Sequence, residues 1–188
     1  MITLDHCALL LVDIQKGLDD WDYYGGQRNN PSAEKNAAAI LQQFRKKNWP
    51  LFHIQHSSTN PESPLHASKE GFAIKEEVQP LAHEQVLTKN TNSAFIGTAL
   101  EALLREAGIK DVIVVGLTTN HCVSTTVRMA ANLGFTTFLI EDATATFDRK
   151  GVHGEVFEAA LVHKTSLASL NEEFATILDT NSVLKMLA

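Results

Sequence analysis

The order of apolar and polar positions along the chain predicts six strands that alternate with helices. Two continuous apolar runs, CALLLVDI starting at residue 7 and DVIVVG starting at residue 111, are typical of parallel strands buried on both faces. Shorter β-rich runs indicate the others. The predicted strands span residues 7–14, 51–55, 85–87, 111–116, 136–140 and 165–168.

Apolar residues that recur every three or four positions predict helices between these strands. Asn30 and Pro31 have the residue types of an N-cap and a first helical position, and Gly108 has that of a helix end. The run SLNE at 169–172 has the spacing of a capping box and predicts the start of the last helix. The other predicted helices span residues 31–47, 99–107, 123–131 and 152–162.

Strands that alternate with helices predict an α/β fold with a mostly parallel sheet and right-handed crossovers. The length of 188 residues predicts a single domain over residues 1–188. In such sheets ligands bind beyond the carboxyl ends of the strands. We therefore expect the chemistry at Asp13, at 55–56, at 88–89, at 116–122 and at 142–147.

Composition narrows the class of protein. Lys and Arg number 16 against 22 Asp and Glu, a net charge of −6, which argues against a nucleic-acid partner. The apolar run at 8–12 is far shorter than a membrane span and follows no basic segment, so we expect neither a membrane anchor nor a secretory signal. Two cysteines are too few for a disulfide framework and suggest a reducing, cytoplasmic compartment.

Cys122 is the candidate nucleophile. It follows the fourth predicted strand within GLTTNHC and would occupy the first turn of a helix. Unpaired backbone N–H groups and the helix dipole favour a thiolate there, so we expect a lowered thiol pKa. The alternative is a buried small hydrophobe, which is how we interpret Cys7 inside the first strand.

Asp13 and Lys89 are candidates to assist such a thiol. Asp13 ends the first apolar run and could act as a general base, although an acid at a strand end can also cap a loop. Lys89 follows the third strand and would stabilise a nearby thiolate, although a lysine in this position is usually solvated. The histidines form no recognised metal motif, and His53 and His56 fall on opposite faces of a strand, so we expect no metal.

Four segments in order resemble the isochorismatase-like cysteine hydrolase superfamily. They are LLLVDIQ at 9–15, LTKNTNSAFIGT at 87–98, VVGLTTNHCVSTT at 114–126 and DATATFDR at 142–149. The resemblance implies a doubly wound sheet with helices on both faces and a catalytic triad of Asp13, Lys89 and Cys122. It also implies a cis peptide between Leu117 and Thr118, and an oxyanion hole formed by the backbone N–H groups of Thr118 and Cys122.

The function implied is hydrolysis of a C–N amide bond in a small molecule, through a thioester and without a cofactor. Nicotinamidases in this superfamily carry an Asp-x-His metal motif after the second strand, whereas residues 55–59 read QHSST, which argues against a metal and against nicotinamide. One alternative is an isochorismatase proper, which cleaves a vinyl ether and needs a pocket for two carboxylates; the arginines are scattered. The other is a catalytically idle binding module.

We also expect residues in loops near the strand ends to contact substrate. Candidates are Gln15, Trp21, Tyr24, His56, Phe72, Phe95 and Phe147, each of which could equally pack beneath a loop. Apolar groups spread over helices that flank one sheet further suggest a homo-oligomer.

Overall fold

The computed structural model describes residues 7–187, which contain eight strands and six α-helices. The strands are β1 (Cys7–Val12), β2 (Leu51–His56), β3 (Gln85–Lys89), β4 (Asp111–Leu117), β5 (Thr136–Ala145), β6 (Arg149–Lys150), β7 (Val156–Phe157) and β8 (Thr176–Leu178). The helices are α1 (Trp21–Tyr24), α2 (Ala33–Lys47), α3 (Leu100–Glu106), α4 (Ser124–Asn132), α5 (Ala159–Leu170) and α6 (Thr180–Leu187).

Six strands form one sheet in the order β3-β2-β1-β4-β5-β8, and every neighbouring pair is parallel. The first strand, β1, lies in the middle of the sheet. From it the chain passes outward to β2 and β3, returns to the other side of β1 at β4, and passes outward again to β5 and β8. This order confirms the predicted doubly wound α/β fold. The order reverses between β1 and β4, where such sheets bind ligands. The strands β6 and β7 form a separate antiparallel hairpin.

Each face of the sheet is covered by helices because successive residues of a strand point to opposite faces. In β1, Leu10 and Val12 face a core that includes side chains of α3, α4 and α5. Leu9 and Leu11 face the other core, beneath α2 and α6. Burial on both faces explains the uninterrupted apolar run. Cys7 lies in this second core, where burial raises its thiol pKa to about 12.

The predicted sixth strand at 165–168 is wrong, because those residues lie inside α5. This helix buries Ala159, His163, Leu167 and Leu170 along one face. Its serine and threonine hydroxyls donate hydrogen bonds to backbone carbonyls about one turn earlier; Ser166 Oγ, for example, donates to Val162 O at 2.7 Å. Burial of that one face, rather than the β preference of Thr165, explains the helix, and the sixth strand of the sheet is β8 instead.

Two helix predictions around α5 are also wrong. The helix predicted over 152–162 begins only at Ala159, after the β6–β7 hairpin. The capping box predicted at 169–172 does not start a helix, because Ser169 Oγ donates to Thr165 O at 2.9 Å within α5. The final helix, α6, begins at Thr180, whose N–H and hydroxyl both donate to Asp142 Oδ1.

The longest helix, α2, has 15 residues. Across residues 7–187 we find no helix with the length and apolar character needed to cross a bilayer.

Candidate active site

The carboxyl ends of β1, β2 and β4 surround a cavity of about 360 Å³, which we call the strand-end cavity. Asp13 enters it directly after β1, His56 ends β2, and Cys122 lies in a π-helical turn (Thr119–Val123) after β4. Gly116 permits this approach of β4 to β1. It has a φ of +126°, and a Cβ there would lie 2.0 Å from the Val12 carbonyl oxygen.

Lys89 reaches this site from the edge of the sheet. Its strand, β3, does not neighbour β1, because β2 lies between them. The extended lysine side chain crosses the end of β2, and Nζ donates to Asp13 Oδ2 at 2.7 Å and to His56 Nδ1 at 3.1 Å. His56 is also the residue that pairs with Lys89 in the β2–β3 register. The ammonium group is fully buried, so this ion pair is shielded from solvent.

The Asp13 carboxylate has one oxygen available for chemistry. Its residue is 2% exposed, Oδ2 accepts from Lys89, and Oδ1 has no hydrogen-bond partner. Side-chain atoms of Asp13, His56 and Cys122 all lie within 4.8 Å of one another. A buried, unpaired carboxylate oxygen beside a thiol is suited to accept a proton from it.

The expectation of a lowered pKa for Cys122 is wrong. Burial raises the pKa of this thiol well above its usual range, and the negative charge of Asp13 raises it further, while Lys89 opposes both. Desolvation therefore outweighs the helix terminus. The resting group is a thiol, and it needs the adjacent base to become a nucleophile.

The turn that carries Cys122 is held by hydrogen bonds at both ends. The Leu117–Thr118 peptide bond is cis, and the Thr118 carbonyl accepts from the N–H groups of His121 and Val123 at 3.1 and 3.2 Å. Thr119 Oγ1 lies 2.9 Å from Nδ1 of His163, a buried residue of α5. Burial lowers the pKa of His163, which favours the neutral ring. Sequence reasoning missed His163, because it lay outside every predicted element, between the helix predicted over 152–162 and the strand predicted over 165–168.

Two of the seven substrate-contact candidates, Tyr24 and His56, line the strand-end cavity. Burial lowers the pKa of His56, and the positive charge of Lys89 lowers it further, so its ring is neutral and can accept from that lysine. Tyr23, from the aromatic loop at 21–24 that we expected near the pocket, lines the cavity as well. Sequence reasoning did not single out five other lining side chains: Leu18, Ser63, Leu65, Asn92 and His121. Most belong to loops that bear no periodic pattern. Among the described residues, no lysine or arginine lines this cavity.

The other five candidates lie outside the cavity lining. Gln15 is fully buried and supports the loops: its amide donates to the carbonyls of His56 and Phe72, and its Oε1 accepts from His56 N. Trp21 borders a separate cavity. Phe95 stacks on Phe135, and Phe147 stacks beneath Tyr24. The side chains of Gln15, Phe95 and Phe147 are therefore placed by packing or by hydrogen bonds of the fold. Phe72 is tied to the fold through its backbone carbonyl, which accepts from Gln15 and Gln55.

Asp13, His56 and Cys122 are the described group whose side-chain atoms are close enough to share a metal ion. The Lys89 ammonium already donates to Asp13 and His56. A cation bound there would have to displace a buried positive charge, so these residues do not fit a metal site.

Comparison with known proteins gives consistent matches over almost the whole chain. A family model described as the isochorismatase domain matches residues 7–182. The isochorismatase family protein YrdC of Bacillus subtilis is 50% identical over 177 residues, covering 94% of this chain and 94% of that protein. Nicotinamidase 3 of Arabidopsis thaliana is 29% identical over 165 residues, covering 81% of this chain and 78% of that protein.

A solved structure supports the same grouping. The crystal structure of an isochorismatase-family protein from Chromobacterium violaceum is 44% identical and superposes with a TM-score of 0.94, covering 99% of this chain and 95% of that one. The sequence and fold comparisons thus agree, and the chain belongs to the isochorismatase family of hydrolases.

Proposed function

We propose that this hydrolase cleaves a C–N amide bond of a small, uncharged molecule by means of Cys122, Asp13 and Lys89. The observation that supports the proposal is the buried cluster at the strand-end cavity, where a thiol lies beside an unpaired carboxylate oxygen that is itself paired with an ammonium group. A nucleophile, a base and a group that orients the base are the parts that covalent acyl transfer requires.

In the first half of the reaction, Asp13 Oδ1 accepts the Cys122 proton and the sulfur attacks the amide carbonyl carbon. The carbonyl π electrons move to oxygen and form a tetrahedral oxyanion. When the oxyanion collapses, the C–N bond breaks, the leaving nitrogen takes the proton from Asp13, and a thioester remains. Asp13 then removes a proton from water, which attacks the thioester and releases the acid, and the sulfur recovers its proton.

Lys89 and the Cys122 turn have supporting roles in this proposal. The Lys89 ammonium donates to Asp13 and orients it, and its charge favours the developing thiolate. Backbone N–H groups of Thr118 and Cys122 are the proposed oxyanion donors, each of which is typically worth about 10²–10³ in rate. Asp13 carries every proton transfer and the backbone N–H groups stabilise the oxyanion, so the proposed reaction needs no cofactor.

The cavity lining favours amide hydrolysis over the alternatives. Cleavage of a dicarboxylate vinyl ether would need cationic side chains to bind the carboxylates, and none lines the cavity among the described residues. An idle binding module would not need a buried carboxylate with one oxygen kept unpaired beside a thiol. Nicotinamidase 3, a relative, is named for hydrolysis of a neutral aromatic amide. Because the reaction depends on a free thiol, we also propose a reducing, cytoplasmic setting.

Ammonia release from a panel of small neutral primary amides tests the proposal. We expect Cys122→Ala and Asp13→Asn each to reduce turnover by at least about 10³-fold, because each removes a group used in every cycle. Cys7→Ala is the matched control, since it removes the other thiol from the core while leaving the cavity intact, and it should retain activity. Substantial turnover by either site variant, with circular dichroism showing a native fold, would contradict the triad.

A further inference from the structure

Unpaired polar atoms point to a ligand contact beyond the catalytic cluster. Among residues 7–187, three buried side-chain atoms have no hydrogen-bond partner: Asp13 Oδ1, Tyr24 Oη and Arg28 Nε. Asp13 and Tyr24 both line the strand-end cavity. Buried polar atoms are nearly always paired, so an unpaired atom in a cavity wall indicates a partner that arrives with a bound molecule. In the proposed mechanism Asp13 Oδ1 accepts a proton from Cys122, but no step uses the Tyr24 hydroxyl.

The Tyr24 ring is held firmly in place. It stacks on Phe147, with ring centroids 5.3 Å apart, and makes an edge contact with Tyr23 at 5.0 Å. Phe147 is itself 2% exposed, so its ring is fixed by the core around it. A tyrosine fixed in this way offers its hydroxyl at a defined point, and little side-chain freedom remains to be lost when a ligand binds.

The Tyr24 hydroxyl is a donor, and its surroundings suit an uncharged ligand. Burial raises the pKa of Tyr24 well above its usual range, and the Ser63 side chain, which approaches the phenol without reaching hydrogen-bond geometry, opposes this only in part. The phenol therefore keeps its proton and can donate it in a hydrogen bond. The described cavity lining holds no lysine or arginine, and the Lys89 ammonium is already paired with Asp13, so no free positive charge is present to bind an anionic ligand.

We infer that Tyr24 determines substrate specificity, by donating a hydrogen bond to an acceptor atom on a neutral amide, at a position remote from the scissile carbonyl. This inference rests on the proposed amide hydrolase function. A site built to hydrogen-bond a ligand group rejects an analogue of the same shape that lacks the group, because the protein atom is then left unpaired. Tyr24 thus selects for substrates that carry this acceptor.

Binding to the Cys122→Ala enzyme tests the inference without turnover. Benzamide and the three pyridinecarboxamides serve as probes, because they have nearly the same shape and differ in whether and where the ring carries an acceptor. By titration calorimetry we expect one pyridinecarboxamide to bind at least about 10-fold more tightly than benzamide. Adding Tyr24→Phe should reduce that ratio to about 1 while benzamide binding stays unchanged. An unchanged ratio, no preferred isomer, or no binding of any probe overturns the inference.

Thermal unfolding separates a ligand contact from a structural one. Removing an unpartnered hydroxyl loses no bond, so Tyr24→Phe should leave Tm unchanged or raise it. Ser63→Ala alone also removes the hydrogen bond from Leu65 N–H to Ser63 Oγ, so the two substitutions are combined. A fall in Tm on Tyr24→Phe that disappears in the Ser63→Ala background would show that the two hydroxyls bond to each other, and would overturn the inference. The proposed function fails separately: wild-type enzyme that binds an amide but releases no ammonia from it contradicts hydrolysis and leaves the Tyr24 inference standing.

Discussion

The protonation state of Cys122 is set by two opposing local effects. Backbone N–H groups at the start of a helical turn favour a thiolate. In this site, burial and the Asp13 carboxylate favour the thiol, and they outweigh both the turn and Lys89. Cys122 therefore differs from cysteine nucleophiles that rest as thiolates, and its proton must move to Asp13 in each cycle.

The rate of alkylation of Cys122 should report this balance. We expect iodoacetamide to label Cys122 more slowly than it labels glutathione at about pH 7, because a raised pKa leaves little thiolate. Asp13→Asn should increase the rate at a given pH by removing a negative charge, and Lys89→Met should decrease it by removing a positive one. Mass spectrometry of the labelled peptide between about pH 6 and pH 9 measures all three rates. Labelling of the wild type faster than glutathione at about pH 6 would contradict the assignment.

For single residues, the sequence predicts where the candidates lie along the chain, but it does not predict their pKa values or their contacts. The apolar runs locate Asp13 and Cys122 just after two predicted strands, and the structure pairs those strands and brings the two side chains together. The pKa of Cys122 could not be predicted, because it depends on how deeply loops bury the sulfur. The importance of Ser63 and Asn92 was equally hidden, since residues in irregular loops carry no periodic signal.

The contact between Lys89 and Asp13 depends on the order of the strands in the sheet, which the sequence motif does not reveal. The position of Lys89 after a predicted strand was visible in the sequence, but β3 lies at the sheet edge, two strands away from β1. Only the strand order, together with a side chain long enough to cross one strand, explains its contact with Asp13. The strand predicted at 165–168 was wrong because a pattern outside that short run decides its conformation. The buried face of α5 outweighs the β preference of Thr165.

A buried charge network joins α2 to the loops around the site. Glu34, in the first turn of α2, accepts from both terminal nitrogens of Arg28 at 2.8 and 2.6 Å and from Lys75 Nζ at 2.7 Å. Burial alone would raise the pKa of Glu34, but the hydrogen bonds from Arg28 and Lys75 outweigh it and lower the pKa to about 2. The network thus connects α2 to the loop that leads from Tyr24 and to the loop before β3.

Glu34→Gln should destabilise the protein strongly. It leaves the buried Arg28 without its carboxylate and leaves Lys75 with only the exposed Asp19. Breaking a buried pair in this way typically costs about 3–5 kcal/mol in the free energy of unfolding. Glu101→Gln is the matched control, because it removes an exposed pair with Arg105 worth at most about 0.5 kcal/mol. Urea denaturation of both variants measures the difference. A loss for Glu34→Gln no larger than that for Glu101→Gln would contradict a stabilising role for the network.

The assembly state belongs to the scale of the whole molecule. Four large apolar side chains are exposed near one another in sequence, on the β6–β7 hairpin and the start of α5: Val152 at 93%, Val156 at 66%, Phe157 at 41% and Leu161 at 49%. Exposed apolar groups clustered in this way are typical of association surfaces. The homo-oligomer therefore stays a prediction, and light scattering at micromolar concentration tests it, with a monomer mass as the contrary result.

Buried histidines and carboxylates together make folding stability depend on pH. Burial lowers the pKa of His53, His56 and His163 from 6.5, so the unfolded chain takes up these protons first and acid favours unfolding. Stability should therefore fall as the pH drops below about 6.5. A second loss should follow from about pH 4.5 towards pH 2, because hydrogen bonds to Glu34 and Glu84 outweigh burial and lower each pKa from 4.5 to about 2.

Urea midpoints measured at a series of pH values check this two-stage profile. The midpoint should decrease between about pH 7 and pH 5, and then decrease further in acid. In Glu34→Gln the urea midpoint should fall less between about pH 4.5 and pH 2 than it does in the wild type. Of the two glutamates with a strongly lowered pKa, only Glu84 then remains. Between about pH 7 and pH 5 the midpoint of this variant should fall as steeply as that of the wild type, because the histidines are unchanged. A midpoint that is constant or higher at about pH 5 than at pH 7 would mean that the buried histidines accept protons as readily as they do in the unfolded chain.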